Sequence, residues 1–185
     1  NDNSSIFFID ENTGFLVNEY YSGRVASSLF KTTNGGSNWF QVYVPNYADF
    51  NKIEFFNNNT GFLSGSKNIL KTTNTGLNWF LIRHDPQSIL TDFYTVNEGY
   101  YISDSIYKTI NGGLTWSASF RAPESRLLYF LDSDIGFSIG ENDARLYRTS
   151  NGGQSWAKQF TAGMYNIYFF DNNLGFASGL PSSFI

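Results

Sequence analysis

Sixteen carboxylates, ten Asp and six Glu, are the main stock of groups able to move protons or bind cations in this 185-residue chain. Twelve Lys and Arg, one histidine and no cysteine accompany them. Glycoside hydrolysis needs two carboxylates at a set separation, one of them with raised pKa. Most carboxylates here fall in turns that recur along the chain, and none sits in a motif that marks an acid/base pair. Asp132-Ser133-Asp134-Ile135-Gly136 begins like a calcium loop. An EF-hand, however, requires Gly at its sixth position and Glu at its twelfth. Phe137 and Asp143 stand there instead, and Asp10-Glu11-Asn12 and Asp171-Asn172-Asn173 occupy equivalent turns. Acidic and amide residues therefore belong to the turn itself. The absence of Cys excludes disulfides, Cys-ligated zinc and thiol catalysis, and the lone His84 excludes a multi-His metal centre within this chain. No Gly-x-Ser-x-Gly, phosphate loop or His-Glu-x-x-His is present. The residues specify no reaction, no metal and no cofactor.

Charge and composition narrow the partners. A formal net charge of −4 and a pI of about 4.9 argue against nucleic acid, whose phosphates call for a basic surface. Hydrophobic residues make up 41% and charged residues 15%, enough to bury a core. No apolar run approaches the ~20 residues of a membrane-spanning helix. Asn1–Ser5 carries no cationic-then-apolar signal segment, as expected of a processed chain or a piece of one. Aromatics reach 19%, with 17 Gly and 21 Asn, a mixture suited to strands joined by tight turns.

Self-similarity organises these residues. Trp39, Trp79, Trp116 and Trp156 lie 40, 37 and 40 residues apart, and each closes a similar phrase. The first reads Thr32-Thr33-Asn34-Gly35-Gly36-Ser37-Asn38-Trp39, and the third reads Thr109-Ile110-Asn111-Gly112-Gly113-Leu114-Thr115-Trp116. Asn74, Gly76, Asn151 and Gly153 hold the matching places in the other two. A second phrase recurs five times, with Phe8, Phe55, Phe93, Phe130 and Phe169 each six residues before a Gly-aromatic pair. Those pairs are Gly14-Phe15, Gly61-Phe62, Gly99-Tyr100, Gly136-Phe137 and Gly175-Phe176. In the second repeat four strands are expected at 53–56, 61–65, 68–72 and 78–83, with turns at Asn57–Thr60 and Asn74–Asn78. A period near 40 with four strands per unit predicts an all-β chain of propeller blades. The repeats run roughly over 6–44, 52–83, 90–120, 126–160 and 165–185, a single domain or part of a larger propeller of six to eight blades.

The Trp phrases resemble the Asp-box, or bacterial neuraminidase repeat, roughly Ser-x-Asp-x-Gly-x-Thr-Trp, with Asn replacing the usual Asp. The match rests on Thr32, Asn34, Gly36, Asn38 and Trp39 and their equivalents, and Thr115-Trp116 repeats the end of the pattern unchanged. With its Gly-aromatic phrase, nearly the whole chain looks most like the photosystem II stability/assembly factor-like branch of these propellers. That branch implies a membrane-protein partner, while the wider repeat also occurs in sialidases, xyloglucanases, sorting receptors and non-enzymatic surface proteins. The resemblance places the boxes on turns between third and fourth strands, away from any active centre. Phe120-Arg121-Ala122-Pro123 is similar to the Arg phrase of sialidases, but there it precedes the first box and here it follows the third.

Physical reasoning gives the box residues structural work. Asn34, Asn74, Asn111 and Asn151 are expected to accept from N–H groups two residues on. Each Trp is expected to bury its ring between adjacent blades. Lys31, Lys71, Lys108 and Arg148, just before the box, are expected to face solvent. The reading that follows is a non-catalytic interaction module for a protein or glycan partner, in an extracellular, periplasmic or cell-surface setting. The alternative is a fragment of a sialidase- or xyloglucanase-like glycoside hydrolase. Loops carry function more often than repeated turns. The binding residues expected on the irregular side are Tyr20, Tyr21 and Arg24 in a loop over Asn18–Ser28, Tyr47, His84, Arg121, Glu141 and Arg145.

Overall fold

The computed structural model describes residues 4–21, 25–44, 50–85, 90–118, 125–160, 163–169 and 174–179, all strand or turn. Two compact units, Asn1–Ile89 and Leu90–Ile185, divide the chain. The first holds one sheet of β1 (Ser4–Phe8), β2 (Gly14–Tyr21), β3 (Val25–Thr32) and β4 (Phe40–Val42). Its second sheet comprises β5 (Phe50–Phe55), β6 (Gly61–Gly65), β7 (Asn68–Thr72) and β8 (Phe80–His84). The second unit begins with β9 (Leu90–Phe93), β10 (Gly99–Ile102), β11 (Ile106–Thr109) and β12 (Ser117–Ala118). There follow β13 (Ser125–Phe130), β14 (Ile135–Gly140), β15 (Leu146–Ser150) and β16 (Ala157–Phe160), then β17 (Met164–Phe169) and β18 (Gly175–Gly179). Every sheet is an antiparallel meander in chain order. The strands expected in the second repeat are all present, shifted by at most three residues.

Register explains the Phe-to-Gly spacing. Gly14, Gly61, Gly99, Gly136 and Gly175 sit directly opposite Phe8, Phe55, Phe93, Phe130 and Phe169. Each ring lies across the glycine so closely that a methyl group there would meet ring carbons at 2.5 to 2.8 Å. In three repeats the following aromatic then stacks on the leading Phe of the next sheet in the same unit. Phe15 stacks on Phe55 at 4.8 Å in the first unit, and Tyr100 on Phe130 at 3.8 Å and Phe137 on Phe169 at 4.5 Å in the second. Such pairs contribute ~0.5–1.5 kcal/mol each beyond area burial. Each Trp meets the leading Phe of its own sheet edge-on, at 6.1 Å for Trp39 and Phe8 and 5.8 Å for Trp116 and Phe93. Trp79 also joins the core formed with Phe15, Val17 and Leu29 of the preceding sheet, so it does seal two sheets together. Trp156 packs likewise against the Tyr100, Ile106 and Phe130 cluster.

Two expectations change. The segment Asn18–Ser28 is not an irregular loop over most of its length, because β2 and β3 continue pairing through Asn18↔Ser28, Glu19↔Ser27, Tyr20↔Ala26 and Tyr21↔Val25. Backbone pairing satisfies the polar groups of the extended strands, and Ser27 Oγ also donates to Phe50 O of the next sheet at 2.9 Å. Lys31 does not face solvent either. It is 6% exposed, sits 5.3 Å over the Phe15 ring, and donates from Nζ to the Thr75 carbonyl at 2.7 Å. Lys71 and Lys108 stand over Phe62 and Tyr100 in the same way. The second sheet covers the side of β3 on which Lys31 stands, whereas Lys71 and Lys108 are half-buried.

Candidate interaction surface

In each four-stranded sheet one end is closed by its own hydrogen bonds. Gly35 N donates to Asn12 O at 2.9 Å, Thr75 N to Asn59 O at 3.0 Å, Gly112 N to Asn97 O at 2.7 Å and Gly152 N to Asp134 O at 2.9 Å. These bonds join the first-to-second turn to the Trp-closed turn, so both lie at the same end. Within the Trp-closed turn the acceptor differs from the expected one. Asn34 Oδ1 accepts from Asn38 N, four residues on rather than two, and Asn74, Asn111 and Asn151 do the same. The bond is possible because the preceding Thr hydroxyl donates to that Oδ1 and accepts from the Gly N–H, as Thr32 does with Gly36. The two-residue acceptor belongs to the other turn, where Asp10, Asn57 and Asp132 accept from N–H groups two and three residues on. Those bonds hold the Asp10 carboxyl below its ordinary range. Gly36 takes a φ of +87°, open to glycine at little cost.

Two of the buried carboxylates are engaged in structure. Asp92, nearly buried, accepts from Phe130 N at 2.6 Å, and Asp85 pairs with Arg83 at 2.9 Å. Among the described residues no three His, Cys, Asp or Glu side chains gather to hold a metal ion.

At the opposite end of each sheet lie the second-to-third turns and the described residues that flank the connections between sheets. Asp85 N donates to Lys67 O at 2.9 Å and Met164 N to Ala144 O at 2.7 Å, tying turn and connection together. Tyr20 and Tyr21 fall here, at the tip of the β2–β3 ribbon. Arg24, Tyr47 and Arg121 lie outside the described residues. His84 ends β8, exposed, with Nδ1 at 2.8 Å from Asn68 Oδ1. Glu141 and Arg145 share the β14–β15 turn. There Tyr147 OH donates to Asp143 Oδ2 at 2.7 Å, and Arg145 Nη1 is 3.5 Å from the same oxygen. The Tyr147 hydroxyl, first of several causes, holds Asp143 below the usual carboxylate range, and that hydrogen bond raises Tyr147 in return.

Two residues that were not expected meet at this end of the second unit. Arg126, second residue of β13, donates from Nη2 to Met164 O and stands with its guanidinium 5.0 Å over the Tyr165 ring, which is 52% exposed. Nothing local marks the pair, because 38 residues separate Arg126 from its acceptor. The cluster Arg126, Asp143, Arg145, Tyr147 and Tyr165 thus offers cations, phenols and one carboxylate on a frame of paired strands.

No family model matches the chain, and no curated protein matches its sequence. Solved structures do. A chain described as YCF48 bound to D1 peptide superposes with a TM-score of 0.67 at 24% identity, over 89% of this chain and 57% of that one. YCF48 from Cyanidioschyzon merolae gives 0.52 at 15% identity, over 96% and 93%. A GH74 enzyme from Niastella koreensis gives 0.62 at 16%, over 90% and 31%. The chain has the β-propeller fold. It spans little more than half of the peptide-bound YCF48 chain and under a third of the GH74 enzyme.

Proposed function

We propose that this chain is a non-catalytic Asp-box propeller module that binds a segment of a partner protein at the blade ends carrying the second-to-third turns. One observation carries the reading. The opposite ends are consumed by a repeated set of turn hydrogen bonds, whereas these ends differ from sheet to sheet and present Tyr and Arg. Those side chains anchor interfaces more often than others. The likeness to a peptide-bound YCF48 chain supports a protein partner, as does the sequence resemblance to the assembly-factor branch. An extracytoplasmic location belongs to the same proposal, since the repeat resembles that of exported proteins.

The test is selection from a displayed peptide library, with the D1 peptide as one defined probe, followed by substitution. Alanine at Tyr20, Tyr21, Arg24, Tyr47, Arg126 and Arg145 is expected to weaken binding by about tenfold or more per anchor. Alanine at Ser37 and Gln154, exposed on the Trp-closed turns, is expected to leave it unchanged. Equal loss in both sets would overturn the surface. The likeness to a GH74 enzyme favours one rival, a glycoside hydrolase fragment. Turnover of sialosides or β-glucans abolished by a single carboxylate substitution would replace the binding reading with that one.

A further inference from the structure

Three of the four Trp-closed turns contain Asn followed by Gly, at Asn34-Gly35, Asn111-Gly112 and Asn151-Gly152, and the fourth reads Asn74-Thr75. Asn-Gly is the dipeptide most prone to spontaneous deamidation, because no Cβ on the following residue hinders closure of a five-membered ring. The Gly nitrogen loses its proton and attacks Asn Cγ, a C–N bond forms, and the side-chain nitrogen leaves as ammonia. Water then opens the succinimide at either carbonyl, giving Asp or isoaspartate. Water is the only co-reactant.

The fold opposes the first step by occupying the attacking nitrogen and by fixing the side chain it must meet. Each attacking nitrogen donates its N–H to a carbonyl of the neighbouring turn, Gly35 to Asn12, Gly112 to Asn97 and Gly152 to Asp134, at 2.7 to 2.9 Å. Each Asn Oδ1 is meanwhile held from two sides, by the Thr hydroxyl two residues before it and by an N–H four residues after it. For Asn111 these are Thr109 Oγ1 at 3.1 Å and Thr115 N at 2.9 Å. Those two bonds fix the rotamer of the Asn side chain within the closed turn. Attack requires breaking the inter-turn bond that occupies the nitrogen and releasing the side chain from the rotamer its Oδ1 bonds fix, which is a local opening of that blade end.

We infer that Asn34, Asn111 and Asn151 are conformation-gated deamidation sites, each modified only when its own turn opens, while Asn74 stays resistant by sequence. The two products differ in consequence. Asp retains an Oδ1 acceptor in the same place, so the turn recloses. Isoaspartate inserts an extra backbone carbon inside the turn, so the acceptor no longer reaches the N–H four residues on. The three turns would thereby record, covalently and one blade at a time, how often each has opened.

The test is peptide mapping by mass spectrometry of the intact 185-residue chain held in mildly alkaline buffer, with and without denaturing guanidinium. Without denaturant the three sites are expected to deamidate at least about tenfold more slowly than with it, equivalent to an opening free energy of ~1.4 kcal/mol or more. Asn74 is expected to change little in either state. Equal rates in folded and unfolded chain would overturn the inference. So would rapid modification of Asn74 alongside the others. Thr109→Val, which frees the Asn111 side chain and leaves the buried Gly113 N–H without its acceptor, loosens that turn and is expected to accelerate Asn111 and leave Asn34 unchanged. If circular dichroism shows that this variant has melted, acceleration at all three sites supports the gating equally. An unaltered Asn111 rate in a variant of either kind counts against it.

Discussion

Lys31 reaches out of the first sheet to the Thr75 carbonyl of the second, at 2.7 Å, with its ammonium above the Phe15 ring. The bond ties two blades through a buried cation. Its stem covers apolar surface and its head satisfies a carbonyl, so Lys31→Ala is expected to destabilise the chain by about 1–3 kcal/mol in urea titration. Burial also lowers the Lys31 pKa from 10.5. The unfolded chain therefore binds more protons than the folded one between the lowered value and 10.5. Stability from this group rises with pH through that window. Wild type is expected to gain on Lys31→Ala as pH climbs toward 10.5, and a constant difference would show the lysine to be solvated.

Gly136 is opposite Phe130, and a methyl group there would meet ring carbons at 2.6 Å. Phe130 is also stacked on Tyr100 and edge-on to Trp156, so it has little room to withdraw. Gly136→Ala is expected to cost about 1–3 kcal/mol. Phe130→Leu costs stability alone but leaves room for the methyl, so the double variant is expected to be less destabilised than the sum. Simple additivity in denaturant titration would mean the ring is not what excludes the side chain.

How much of this was legible depended on range. The six-residue step from Phe130 to Gly136 is local, set by a hairpin register, and the sequence repeats it five times. The inward turn of Lys31 was not legible. Alternation along a strand names its two faces, but it does not say that a second sheet covers the face where a cation stands. The tip of the β2–β3 ribbon read as a loop because Tyr20-Tyr21-Ser22-Gly23 carries turn residues, while the pairing that extends it lies in Asn18 and Ser28 on either side. Arg126 and Tyr165 meet only because sheets stack, and no residue near either one announces the other.

Tyr147 and Asp143 make a hydrogen bond of 2.7 Å that moves both groups. The bond is the first cause of the lowered Asp143 pKa and of the raised Tyr147 pKa. Asp143→Asn is expected to return Tyr147 toward 10.0 in a phenolate absorbance titration. Tyr147→Phe is expected to return Asp143 toward 3.8. For the carboxylate, the stabilising contribution is present above its unfolded pKa and fades as pH falls through the lowered folded value. For the phenol, it is present below 10.0 and fades as pH rises through the raised value. An unchanged phenol titration in Asp143→Asn would remove this pair from the surface's electrostatics.

Thr109 and Asn111 separate two readings of the Trp-closed turn. Thr109 is 1% exposed, and its hydroxyl accepts from Gly113 N at 2.9 Å while donating to Asn111 Oδ1. Thr109→Val keeps the shape but leaves the buried Gly113 N–H with no acceptor, a loss of ~1–3 kcal/mol. Asn111→Asp keeps the Oδ1 that Thr109 and Thr115 N require. Its one lost donor, Nδ2 to Thr115 Oγ1 at 2.8 Å, is replaced when that hydroxyl turns to donate instead. The expected order in urea titration is therefore wild type and Asn111→Asp within about 0.5 kcal/mol, with Thr109→Val clearly below. If the amide itself were required, as it would be were Nδ2 the group holding the turn, Asn111→Asp would fall to the level of Thr109→Val. An acid at this position that folds normally would show that an oxygen acceptor, not the amide, is what the turn needs from the residue.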